Sequence, residues 1–157
     1  MDMPRMDIRT MHYRNLALMA VLSFAAMYVL MYAMVDRLPN VFANLNQAYM
    51  AALMAAPMVL IELLVMRAMY RDAKANTVIV AVSVIILVGS FLLIRAQTGI
   101  GDKQFLRSMI PHHAAAILMC EEAAVQDPEI KALCEGIKVS QQAEIDQMKA
   151  KLRALNR

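Results

Sequence analysis

The sequence predicts an all-α protein: three transmembrane helices, then an extracytoplasmic antiparallel helical hairpin that pairs into a four-helix bundle on oligomerisation. Three observations predict it. Hydrophobic residues make up 61% of the 157-residue chain and charged residues 18%, with mean hydropathy +0.49, which is too apolar for a small chain that folds in water alone. Three stretches approach the length of about 20 apolar residues that a helix needs to cross hydrocarbon. The tail beyond them has helical periodicity and one break, at Asp127-Pro128.

Residues 1–14 form a cytoplasmic N-terminal segment carrying Arg5, Arg9 and Arg14, together with Met3, Met6, Met11 and His12, a weakly supported metal-ligand set. The three-helix membrane region covers 15–96, with spans at 15–35, 48–66 and 77–94. The first span is too long for a signal-peptide core and no small-residue cleavage site follows it, so it reads as a retained anchor. Met27, Met31 and Met34 share one face of this span, and Met50, Met54 and Met58 share one face of the second. Flexible apolar filler accounts for these stripes better than a metal path does. Pro57 should kink the second span, and Glu62 near its end should reach toward Arg67.

Orientation follows from the basic residues. Arg67, Arg71 and Lys74 lie between the second and third spans, and only Arg37 lies between the first and second. The N-terminus is therefore expected in the cytoplasm and the tail outside. In a bacterium this means a multi-pass inner-membrane protein with a periplasmic tail.

A hinge at 97–101, Gln97-Thr98-Gly99-Ile100-Gly101, leads to the hairpin domain, 102–157. Asp102 is a good N-cap, and Phe105, Met109, Ala116, Cys120 and Ala123 recur with helical spacing. Pro111 should disturb this helix, moving its proper start nearer to residue 110. Pro128 suits the first turn of a second helix, whose stripe is Ile130, Leu133, Ile137, Gln141, Ile145, Met148, Leu152 and Leu155. Two helices enclose little core, so a staple or a second copy of the chain is expected.

Cys120 and Cys134 each lie seven residues from Asp127, so a hairpin turning there sets them face to face. A disulfide between them would close a loop worth about 3 kcal/mol. Two buried thiols, or two extra soft metal ligands, are the alternatives. The same register sets His113 opposite Gln141 and brings Met148 within about one turn of Met109.

The chemistry concentrates in Met109-Ile110-Pro111-His112-His113 and Met119. Imidazole serves several transition metals, whereas thioether sulfur selects for soft ions, so Cu(I) or Ag(I) is expected, with Cu(II) as the other copper state. Zinc prefers nitrogen, thiolate or oxygen donors. Gln141, a polar residue on an apolar stripe, needs a partner and could orient an imidazole, with Glu144 beside it. No acid–base constellation or Gly-rich phosphate loop is present, so a binding protein rather than an enzyme is expected. Despite a net charge of +3, the chain has few aromatic residues, which argues against nucleic acid.

The pattern Asp102-x-x-Phe105, Met109-Ile110-Pro111-His112-His113, Ala116-Ile117-x-Met119, Asp127-Pro128-Glu129-Ile130 and Gln141-x-x-Glu144-Ile145-x-x-Met148 closely resembles the domain-of-unknown-function 305 family. The resemblance covers roughly 102–155. It implies a ferritin-like helical fold, an extracytoplasmic and largely bacterial setting, and copper or silver association through Met109, His112, His113, Met119 and Met148. The chain departs from the family in carrying one copy of the motif region, two cysteines and three spans. The functional expectation is membrane-anchored capture of Cu(I) or Ag(I) for copper buffering, delivery or resistance. The alternative is a membrane scaffold acting through helix–helix interactions without metal.

Overall fold

The computed structural model describes residues 8–156, and Met3 and Met6 lie outside them. Five α-helices follow in order: α1 Ile8–Leu30, α2 Leu45–Val65, α3 Ala73–Ala96, α4 Asp102–Glu122 and α5 Pro128–Leu155. Short 3₁₀ turns at Met31–Met34 and Leu38–Asn40 occupy the connection between α1 and α2, and no strand occurs among the described residues. The stretches Thr10–Met34, Leu45–Val65 and Ala73–Ala96 are long and apolar enough to cross a membrane.

The chain divides into two compact units. One comprises the chain up to Val29 together with Ala48–Ala96. Its small core is Leu16, Val59, Leu63 and Tyr70, with Tyr13, Met19, Ala20 and Ile79 packed against it. Tyr13 and Tyr70 stack at 5.3 Å between ring centroids, and the Tyr13 hydroxyl donates to Asn76 Oδ1 at 2.9 Å. Glu62 accepts from the Tyr70 hydroxyl at 3.3 Å instead of reaching toward Arg67, because the turn after α2 buries Tyr70 over it. α2 runs through Pro57 without a break. Ala51, Ala55 and Ala56 face inward, and Met50, Met54 and Met58 face outward. The cavity of about 430 Å³ among α1, α2 and α3, lined by Ala20, Phe24, Ala52, Ala55, Ser83 and Ile86 among others, contains no methionine.

The second unit joins Leu30–Gln47 to Gln97–Arg157. The connection between the first two spans thus belongs with the hairpin, although its position in sequence lies inside the membrane region. Val35 and Phe42 from this connection pack on a core of Leu106, Ile110, Ala114, Ile117, Ile145 and Leu152. Polar contacts fasten it further. Gln104 accepts from the Leu45 amide at 3.1 Å, and Asn46 exchanges amide hydrogen bonds with Gln97 at 3.1 and 3.2 Å. Lys149 donates to Asn40, which in turn donates to the buried Asp36 carboxylate. A chain that crosses a bilayer three times returns its first connection and its tail to the same side. These are the segments that pack together.

The hinge has a defined conformation. Gln97 adopts φ 49°, a left-handed backbone that costs a non-glycine residue roughly 1 kcal/mol, and Gly99 adopts φ 75°. α4 starts at Asp102 with Gly101 as its N-cap, so Asp102 sits in the first turn and not at the cap. It also runs unbroken through Pro111, contrary to a start near residue 110. Leu106 and Ile110 before the proline and Ile117 after it bury on one face, and this packing outweighs the helix penalty of about 3 kcal/mol. Asp127 caps α5, accepting from the amides of Glu129 and Ile130 at 2.8 and 3.1 Å, with Pro128 at the first helical position.

The core stripe of α4 is Leu106, Ile110, His113, Ala114 and Ile117, one position along from the stripe read in the sequence. One residue turns a helix by about 100°, which leaves Phe105 exposed. In α5 the expected stripe holds at Ile145, Met148, Leu152 and Leu155, whereas Ile130 and Leu133 are exposed. Ile110 and Ile145 are fully buried. Truncating either to alanine should destabilise this unit by about 2–5 kcal/mol, while Leu133→Ala should change it by less than about 0.5 kcal/mol. Hydrogen exchange of the α4 amides in the full chain measures both.

Candidate metal centre

His113 is the best-defined side chain of the site. It lies on the core face of α4 and is 8% exposed. Its Nδ1 stands 2.9 Å from the Met109 carbonyl oxygen one turn earlier. A carbonyl only accepts, so Nδ1 carries a proton and donates. Nε2 stands 2.7 Å from Glu144 Oε2 on α5. The imidazole is therefore fixed at one nitrogen by the backbone, with the other aimed across the hairpin, an arrangement that ligating histidines use to set tautomer and ring orientation.

Sequence register paired His113 with Gln141, but the structure pairs it with Glu144, and Gln141 is half-buried without a hydrogen bond among the described residues. The displacement is a little under one turn and has a simple cause. Side chains tilt toward their helix's N-terminus, so in an antiparallel pair a long side chain reaches a level beyond its own Cα. Cysteine is too short to show the effect.

The other expected ligands divide into two groups. Met109 is half-buried, and Met148 is half-buried and packed on the core. Stepping four residues back from His113 and four on from Glu144 keeps both faces and sets Met109 opposite Met148. His112 and Met119 instead lie on the outward side of α4, Met119 being 52% exposed. The two imidazole rings stand 6.2 Å apart between centroids at 63°. Of the four α4 candidates, His113 is the one that bonds to α5.

Imidazole and thioether are donor types that a soft ion takes. Among the described residues there is no group of three or more His, Cys, Asp and Glu that could hold a metal, so a nitrogen–oxygen or thiolate cage is not preformed. One imidazole nitrogen with two thioethers in register remains. The Glu144 carboxylate, like the carbonyl, only accepts, so Nε2 donates to it as the chain stands and must release that proton to hold an ion. The Glu144 side chain is 51% exposed.

Cys120 and Cys134, which the sequence register sets face to face, lie on α4 and α5. Both are half-buried free thiols. The hydrogen bond with Cys134 pushes the Cys120 thiol above its ordinary range, and burial and the nearby Cys134 charge add to this. A raised thiol holds less thiolate at a given pH. Cys120 should therefore alkylate more slowly than a free thiol at neutral pH, and Cys134→Ala should speed it. Iodoacetamide labelling with peptide mapping measures this.

The sequence did not reveal that Asp36, Asn40 and Lys149 bind the first connection to α5, or that Val35 and Phe42 pack on the core that Met148 also covers. The available signal was the apolar content of a connection that would otherwise be expected to be polar.

The profile of a domain of unknown function, DUF305, matches residues 93–152. An uncharacterized protein of Acanthamoeba polyphaga mimivirus is 35% identical over 141 residues, which cover 88% of this chain and 91% of the viral one. No solved structure matches.

Proposed function

The chain belongs to one family with the mimivirus protein and carries a DUF305 domain over residues 93–152, and on that premise we propose that it is a membrane-anchored carrier of Cu(I) or Ag(I). The α4–α5 hairpin captures the ion as cargo, for copper buffering, delivery or resistance, without catalysing a reaction. Three spans hold it in the bacterial inner membrane with the N-terminus cytoplasmic and the hairpin periplasmic.

One observation carries this reading. His113 has Nδ1 tied to the Met109 carbonyl and Nε2 aimed at Glu144 on α5. His113 supplies the nitrogen, the two thioethers supply the softness that favours monovalent copper and silver, and Glu144 holds the imidazole in place before the ion arrives. His112 and Met119, on the outward face, would hand the ion on or take it up.

Exposed apolar residues on the hairpin favour a second copy of the chain as partner. Leu133 is 61% and Val139 is 73% exposed, as a face covered on oligomerisation would be. The same residues support the reading as a metal-free scaffold, which predicts association that ignores copper.

The test is Cu(I) titration of the full chain in lipid nanodiscs against a chromogenic chelator. His113→Ala should weaken binding at least about 10-fold, and Met109→Leu with Met148→Leu should do the same. His112→Ala should change it less than threefold. Equal affinity in wild type and His113→Ala would remove the proposal.

A further inference from the structure

The three-helix unit contains two adjoining apolar cavities. The one of about 430 Å³ among α1, α2 and α3 and another of about 260 Å³, chiefly between α1 and α3, share Ala20, Val59, Ser83 and Ile86. Ala55, Ala56, Val59 and Ser83 are buried and form the floor, whereas Val21, Val82 and Ile86 are exposed along the lips. Together they make a groove that opens sideways and runs from Tyr13 at one end to Phe24 at the other. On α1 that interval is about 16 Å of helix. It is close to half of the ~30 Å hydrocarbon core, the depth of one leaflet.

The two ends of the groove differ in charge. Arg14 lies one turn before the lining residue Ala17, and Lys74 one turn before the lining residue Val78, so each continues a lining face past the Tyr13 end. Both are exposed. The acids at this end are engaged within the unit. Asp72 accepts from the Lys74 and Ala75 amides at 3.0 Å, which commits one of its oxygens to the start of α3, and Glu62 accepts from the Tyr70 hydroxyl. The Tyr13 hydroxyl donates to Asn76 at 2.9 Å, which ties α1 to α3 there. Toward Phe24 the walls are uncharged: no Asp, Glu, Lys or Arg occurs from Ala17 to Val35 or from Val78 to Ile94.

We propose that this groove seats one acyl chain of an anionic phospholipid, with its phosphate at Arg14 and Lys74. Two complementarities identify the occupant. A sideways-open apolar groove in a helix bundle long enough to cross a bilayer is filled by hydrocarbon, and its length is that of a chain reaching the midplane. The basic end selects the headgroup, since each Lys or Arg near a membrane surface favours anionic lipid by about fivefold. A second copy of the chain would bring apolar side chains to the groove but no anion to its basic end. The site shares no residue with the hairpin and stands apart from the metal reading.

The experiment is native mass spectrometry of the full chain released from detergent micelles that contain phosphatidylglycerol or phosphatidylcholine with the same acyl chains. The wild type should retain one phosphatidylglycerol, at least about 10-fold more tightly than phosphatidylcholine. Lys74→Gln should cost about fivefold, and Arg14→Gln/Lys74→Gln should bring the two lipids level. Ala20→Phe, which fills the groove where the cavities join, should remove both lipids while helicity by circular dichroism is unchanged. A phosphatidylglycerol carrying a diazirine in its acyl chain should label the lining peptides of α1 and α3 in the wild type, a readout that depends on no variant's folding. Equal retention of the two lipids by the wild type would overturn the proposal. So would acyl labelling concentrated on the outward face of Met50, Met54 and Met58, or a chain dimer, dissolved by Ala20→Phe, in place of the lipid adduct.

Discussion

The antiparallel packing of α4 on α5 determines what every functional side chain can reach. Ile110 and Ile145, both fully buried, fix the two helices against each other in depth, and the Asp127 cap fixes where the second helix begins. Once those are set, His113 meets Glu144 across the hairpin. A shift of one residue along either helix would turn its face by about 100° and dissolve that pairing. The hydrophobic core is thus the device that positions polar and soft groups, whose own interactions are too weak to fix a register.

A two-helix core is small, and the chain enlarges it with material from the first connection. Val35 and Phe42 cover apolar surface that a free hairpin would leave wet, while Lys149 donates to Asn40 and Asn40 to Asp36, whose second carboxylate oxygen is buried without a hydrogen bond. The hairpin is therefore not a tail hung from a membrane anchor. Its fold includes residues 30–47, and separating it at the hinge would remove part of its core. The amide pair between Asn46 and Gln97 holds the left-handed turn at the same place.

Much of this was legible in the sequence because it depends on local rules. Three long apolar runs and the Asp127-Pro128 helix start gave the spans and the turn. What was not legible depends on packing. The apolar pattern of α4 points one residue off its buried stripe because Phe105, Met109 and Cys120 are as apolar as the residues that are buried. Helix propensity overweights Pro111, since it counts the lost hydrogen bond and not the burial on either side of it. His113 was matched to Gln141 because Cα register ignores the tilt of long side chains. The contribution of the first connection has no periodic signature at all.

The central claim is that the hairpin register brings one imidazole and two thioethers to one ion. X-ray absorption at the copper edge tests it most directly, on the Cu(I)-loaded full chain in a Cys120→Ser/Cys134→Ser background that removes thiolate sulfur. The account predicts sulfur scatterers together with a single imidazole, the sulfur lost in Met109→Leu/Met148→Leu and the imidazole lost in His113→Ala. A copper surrounded only by nitrogen and oxygen, or unchanged by either set of substitutions, would contradict it.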